Sequence, residues 1–209
     1  MYTVYGRIGT GSIAVEAVLE EIGAPYETRN VPKGADGRPE RSYFAINPQG
    51  RVPSLALADG RIMTESAAIV LYLADTYAEA KLAPAPADVL RPDYLRWMLF
   101  MASGIYISDV IVAYAPRYTT DPNGGEGVRT AALATMAEEW QILADGLGSR
   151  PYILGDTFSA ADIYAAMLMT WNDDVPAFFR IQPKLKAHYD RVTARPAVAR
   201  VWKRHEIEV

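Results

Sequence analysis

Pro53 stands at the head of the run VPSLAL, where a short strand should begin. Proline has no backbone N–H and is poorly tolerated inside a sheet ladder. Either the strand lies at an edge, or Pro53 holds a special backbone shape. The surrounding stretch, NPQGRVPSL from Asn47 to Leu55, contains Asn-Pro, Gln-Gly and Val-Pro steps, so irregular backbone leads straight into the strand. An X–Pro bond prefers trans by only about 0.5–1 kcal/mol. A cis Val52–Pro53 link is therefore accessible, and it would bend the chain. Val52 could then offer its free N–H and C=O to an extended peptide that pairs like an added strand.

Residues 1 to about 78 carry alternating strand and helix signals around this point. YTVY (Tyr2–Tyr5) is a β-branched and aromatic run, and GRIGTGS is a glycine-punctuated turn. SIAVEAVLEEIG runs as a helix from the N-cap candidate Ser12 to Gly23. Its face of Ala14, Ala17, Val18 and Ile22 is expected in the core, with Glu16, Glu20 and Glu21 facing water. APYETRNV is a second strand. VPSLAL and RIMT, joined through Asp59-Gly60, form a hairpin. ESAAIVLYLADTY is a helix. AEAKLAPAPAD (78–88) is rich in alanine and proline and reads as a linker. Beyond it the chain is helical almost throughout, in a long segment stopped by Pro116, another following the YTTDPNGGEG loop, SAADIYAAMLMTWN, and two more broken at Pro196. The expected organisation is α/β plus all-α, with domain one at 1–78, a linker at 79–88 and an all-helical domain at 89–209.

Composition excludes several functions. The chain has no cysteine, which removes disulfides, zinc–thiolate sites and a cysteine nucleophile. Its two histidines, His188 and His205, argue against a histidine-rich metal site or a Ser-His-Asp triad. A net charge of −4 without a long basic run argues against nucleic acid. No uninterrupted 18-residue apolar run is present and MYTVYGRIG lacks a signal peptide's apolar core, so no membrane partner and a cytoplasmic location are expected.

At TES, Thr64–Ser66, a strand gives way to a helix. Unpaired N–H groups and the helix dipole favour an anion there. An α-amino acid head group would present its carboxylate to Ser66 and its amino group to Glu65. A γ-glutamyl tripeptide would thus be held twice, by its head group and by its middle backbone at Val52.

The segment NPQGRVPSL…ADGRIMTESAAIVLYLAD resembles the glutathione site of the cytosolic glutathione transferase superfamily, and LGDTFSAADIYAA resembles that family's helix-capping motif. In the latter, Ser159 caps a helix and Asp162 closes a capping box. The resemblance spans the whole chain, linker included. It implies an N-terminal thioredoxin-like domain that binds glutathione, an all-helical domain that supplies the electrophile site, and a homodimer. It implies glutathione as co-substrate, no metal, and contacts from Val52, Pro53, Glu65 and Ser66, with Gln49 and Arg51 as further candidates.

The family's chemistry needs a thiolate. A free thiol titrates near ~8.5, and lowering that by ~2 units takes roughly 2.7 kcal/mol. A hydroxyl hydrogen bond and a helix N-terminus supply energy of that order. Thr10 and Ser12 are the only hydroxyls in GRIGTGS, and either is a candidate. Thr10 matches the active serine of serine-type relatives, while Ser12 doubles as an N-cap. Tyr5 is expected to pack in the sheet. Cysteine-type relatives carry cysteine where this chain has Gly11, so mixed-disulfide chemistry on the protein is excluded. Tyr106 and Trp171 resemble residues lining the electrophile site of bacterial relatives. Tyr114 lies eight residues after Tyr106, close to two helical turns, so the two can share a face, and Tyr118 follows. The resemblance implies conjugation of glutathione to a small hydrophobic electrophile. The other reading is a non-catalytic ligand- or partner-binding protein on the same scaffold.

Overall fold

The structure, a computed structural model, describes residues 1–34 and 37–208. The chain separates into two compact units, Met1–Ala87 with Val192–Glu208, and Asp88–Arg191.

The first unit begins with β1 (Tyr2–Gly6), α1 (Ser12–Ile22) and β2 (Tyr26–Asn30). The parallel pairing of β1 with β2 needs a crossover, and α1 is that crossover. β3 (Ser54–Ala56) and β4 (Ile62–Thr64) follow as the hairpin expected around Asp59-Gly60, and α2 (Ser66–Thr76) closes the motif. The sheet order is β2-β1-β3-β4, with β3 antiparallel to both neighbours. β3 is thus central, and Pro53 is tolerated because the ladder starts one residue after it, at Ser54. Val4, Leu55, Ile13, Val18, Ile69 and Leu73 are fully buried. This is the thioredoxin-like half of the molecule.

The second unit is all helical. α3 (Arg91–Phe100) continues through a π-helical turn, Met101–Ile105, into α4 (Tyr106–Ala113). The run Arg91–Ala113 reaches a mean hydropathy of 1.4 over an 18-residue window, long and apolar enough by length and composition to cross a membrane. Charged residues such as Arg96 and Asp109 break this run, and averaging passes over them. A single 3₁₀ turn, Ala115–Tyr118, precedes α5 (Gly125–Leu147), which takes up glycines the sequence had left to the loop. α6 (Ala160–Met169) is buried along its whole length. α7 (Val175–Ile181) was not anticipated, although Asp174 caps it by accepting from the Ala177 N–H at 2.8 Å and Pro176 sits in its first turn. α8 spans Pro183–Thr193.

The capping box at α6 is present, and Asp162 does more than close it. Its Oδ2 accepts from Ser159 N–H at 2.8 Å and Ser159 Oγ–H at 3.0 Å. Its Oδ1 accepts from Ile153 N–H and His188 Nε2–H, both at 2.8 Å. A fully buried carboxylate is tolerable only with such saturation.

α9 (Pro196–Arg204) belongs to the first unit, whereas its sequence position suggested the helical domain. The reason lies on α1. Glu16, expected in water, is 4 % exposed and is paired with Arg204 at 2.8 Å and His205 at 3.0 Å. Glu20 is paired with Arg200 and Arg204, and Glu21 with Arg195. The acidic face of α1 is therefore a docking face for a basic helix far away in sequence.

Candidate functional site

The strand register assembles the site. Tyr5 pairs with Ser54, and Ser54 pairs with Thr64. One step beyond this rung lie Gly6 and the turn into α1, the Val52–Pro53 link, and Glu65 with the start of α2. Pairing alone thus brings three separate segments to one end of the sheet.

The Val52–Pro53 bond is cis, as the sequence suggested. The carbonyl just before this dipeptide is clamped. Arg51 C=O accepts from Tyr43 Oη–H at 2.8 Å and Asn47 Nδ2–H at 2.7 Å. With its single proton so committed, Tyr43 accepts at 2.7 Å from Ser54 Oγ–H on the far side of Pro53. Burial pushes the Tyr43 phenol's pKa up, which keeps it a donor. Asn47 Oδ1 also accepts from Gln49 N–H at 3.0 Å, an Asx turn. Gln49 and Arg51 are exposed. Sequence reasoning missed Tyr43 and Asn47 as positioning residues. Asn47-Pro48 was a readable turn signal, but nothing local pointed to Tyr43.

Glu65 precedes α2 with φ 65° and ψ 103°. A non-glycine residue held in sparsely populated backbone space costs on the order of 1–3 kcal/mol, and such residues cluster at ligand clamps. The side chain of Glu65 is exposed, and Ser66, the first residue of α2, is buried. The first-turn N–H groups of α2 have no intrahelical acceptors.

In the β1–α1 turn, Thr10 Oγ1–H donates to Arg7 C=O at 2.8 Å. Ser12 Oγ lies 3.3 Å from the same carbonyl and 3.2 Å from Thr10 Oγ1. The N-cap position belongs to Gly11, so Ser12 is not the cap. Ser12 is wholly buried, and a Cβ on Gly6 would overlap it. Thr10 is half-buried. Tyr5 lies in the sheet, its ring 6.2 Å from that of Tyr43.

In the helical unit, Tyr106 and Trp171 meet edge to face with centroids 4.9 Å apart. Tyr114 falls just past the end of α4, with non-helical φ −131°, so the extended helical face projected from Tyr106 stops at Ala113. Its ring lies under the Arg117 guanidinium at 4.3 Å. Tyr118 is exposed. Trp171 also lines a cavity of about 570 Å³ together with Asp109, Glu126, Arg129 and Asp173. Burial, and secondarily the charge of Asp173, push the Asp109 carboxyl up to about 7. Asp109 was not singled out from sequence, because an acidic residue on an apolar helix gives no local sign of its surroundings.

Comparison with known proteins agrees with this architecture. Residues 12–76 match the glutathione S-transferase N-terminal domain, and residues 107–196 match the glutathione S-transferase C-terminal domain. The chain is 31% identical over 221 residues to the glutathione S-transferase-like protein gedE of Aspergillus terreus, covering 95% of this chain and 92% of that one. It is 28% identical to the glutathione S-transferase GstA of Escherichia coli O157:H7, covering 93% and 94%. A glutathione transferase homolog from Sulfitobacter, solved with bound glutathione, superposes with a TM-score of 0.90 at 29% identity, covering 99% of each chain. On the matched domains, the shared fold and these relatives, this chain belongs to the cytosolic glutathione transferase superfamily.

Proposed function

We propose that the protein is a glutathione S-transferase that binds glutathione at the sheet end and conjugates its thiolate to a small hydrophobic electrophile. The observation that carries this reading is Glu65, held at positive φ directly ahead of α2 and at the same end of the sheet as the β1–α1 turn. A non-glycine residue in that conformation costs on the order of 1–3 kcal/mol, and such residues cluster at ligand clamps. In this reading the first turn of α2 with Ser66 takes the γ-glutamyl carboxylate, Glu65 takes the amino group, and the main chain of Val52, ahead of Pro53, pairs with the middle of the tripeptide. Gln49 and Arg51 flank it, and no metal takes part. The glutathione-bound Sulfitobacter homolog supports the ligand.

Thiol activation falls to Thr10, with Ser12 as a positioning residue. Ser12 is too buried to touch a ligand, but it lies within reach of the carbonyl that now holds the Thr10 proton. When the thiolate binds, Thr10 Oγ1–H turns to it, beside the N-terminus of α1, while Ser12 Oγ–H keeps the Arg7 carbonyl satisfied. Tyr106, Tyr114 and Trp171 are assigned to the electrophile. A cytoplasmic homodimer is part of the same proposal.

A non-catalytic binding protein is the second reading. Its support is the same turn, where both hydroxyls are occupied by Arg7. Titrating bound glutathione against pH by its thiolate ultraviolet absorbance separates the two. The enzyme should ionise the bound thiol well below ~8.5, and a binding module need not. Glu65→Ala should raise the glutathione Kd about tenfold or more with a smaller loss of kcat at saturation. Thr10→Ala should lower kcat about 10–100-fold with little change in Kd. Ser12→Ala should lower kcat less, and should raise the pH at which the bound thiol ionises. Turnover untouched by Thr10→Ala but abolished by Ser12→Ala would reverse the two roles.

A further inference from the structure

The cavity between α4, α5 and the turn after α6 lies within the helical unit and has about 570 Å³, the size of a small-molecule site. Its polar groups are unequally matched. Asp109 comes from α4, Glu126 and Arg129 from α5, and Asp173 from the turn after α6. Arg129 is ion-paired with Asp173, and among the described residues Asp109 and Glu126 have no cation paired with them. Among the described residues, Asp109 has no hydrogen-bond partner, yet its oxygens are not sealed from solvent as the orphaned atoms of Arg129 and Trp171 are. Arg129 Nη1 and Trp171 Nε1 are buried and unpartnered with essentially no accessible surface, so they do not face the void. What faces it is a carboxyl in want of a partner, beside an indole wall. Val112 and Pro116 add apolar surface.

We propose that this cavity binds a small organic ammonium ion carrying an apolar stem, its charge on Asp109 and Glu126 and its stem against Trp171, Val112 and Pro116. An indole face and carboxylates recognise the same class of cation. An anion would meet the carboxyls of Asp109 and Glu126 and, among the described lining residues, only an Arg129 already paired with Asp173. A metal ion is a poorer fit, because no three acidic or histidine groups among the described residues are placed to ligate one.

Trp171 is also assigned above to the electrophile, so this site shares one wall with that reading, but its binding is measured in the absence of glutathione. Failure here therefore leaves the transferase reading standing, and failure of glutathione binding leaves this one standing. Asp109 also supplies a signature. Its carboxyl is half-protonated near pH 7, where the cation drives that proton into the buffer. The other charged groups lining the cavity are Glu126, Arg129 and Asp173.

The test is calorimetric titration of the full chain with benzylamine, benzyl alcohol and benzoate at pH 7, in two buffers of different ionisation enthalpy. Benzylamine should bind at least about tenfold more tightly than the alcohol, with release of about half a proton per site. Benzoate should bind more weakly than either. Asp109→Asn should weaken the amine about tenfold and abolish the proton release. Glu126→Gln, at an exposed position, should weaken it about threefold and serves as the deciding variant if Asp109→Asn does not fold. Equal affinity for amine and alcohol, tighter binding of benzoate with proton uptake, or variants that bind the amine as well as the wild type would each overturn the proposal.

Discussion

Asp109 shows how one side chain carries a pH dependence that composition does not reveal. Its carboxyl titrates near 7 when folded, pushed up first by burial and then by Asp173. Unfolded, it returns to about 3.9. A carboxyl that holds its proton more tightly when folded opposes folding above pH 7, and that penalty disappears as pH falls toward 4. Asp109→Asn should therefore stabilise the protein at pH 8 by a few kcal/mol at most, roughly 4 being the ceiling for a shift of this size. The gain should vanish by pH 4. Urea unfolding of both proteins at pH 8 and 5 checks this, and a gain that is the same at both pH values would contradict it. Glu65 is the opposite kind of residue. Its side chain is exposed, and what sets it apart is its positive-φ backbone.

At the scale of elements, two helix contacts determine stability in different ways. Arg204 on α9 binds Glu16 at 2.8 Å, Glu20 at 2.8 Å and Tyr26 at 2.6 Å. Removing it leaves a buried carboxylate with only His205. Breaking a buried pair costs about 3–5 kcal/mol, but the Arg204 side chain is 42% exposed, which lowers the expectation for Arg204→Ala to about 1–3 kcal/mol. A chemical-denaturation midpoint unchanged from wild type would show α9 to be held by its apolar face alone. Gly146 on α5 is a packing case. A Cβ there would overlap the ring of Trp97 on α3, which is 6 % exposed and so has little room to move. Alanine would gain up to about 1 kcal/mol of helix propensity, but overpacking costs about 1–3 kcal/mol. Gly146→Ala should thus be destabilising by a net 1 kcal/mol or so, read by thermal denaturation, and a raised Tm would show that Trp97 can yield.

For the whole molecule, linkage gives a test of the proposed ligand without any assay of turnover. Glutathione at about 100 times its Kd should add about 2.7 kcal/mol, which for a chain of this length raises Tm by about 5–10 °C. Glu65→Ala should lose most of that rise at the same concentration. Sedimentation should give about twice the 23.0 kDa chain mass if the homodimer is correct. Much of this organisation was legible in the sequence, because it rests on local signals. Pro53 at a strand head, the Asp59-Gly60 turn, the Ser159–Asp162 capping box and the alternation of strand and helix patterns each act within a few residues. Hydrophobic periodicity also placed most helices, and it failed only for the short α7. Other features depended on tertiary structure, because they join groups far apart in the chain. The acidic stripe of α1 reads as a solvated face until Arg195, Arg200 and Arg204 arrive from α9. The Arg51 carbonyl has no visible fate until Tyr43 is folded over it. Ser12 reads as an N-cap until burial and the Arg7 carbonyl assign it elsewhere. The sequence by itself determined which elements form and in what order. Which polar groups are buried, and against what, depended on three-dimensional packing, since desolvation and pairing are properties of neighbours in space.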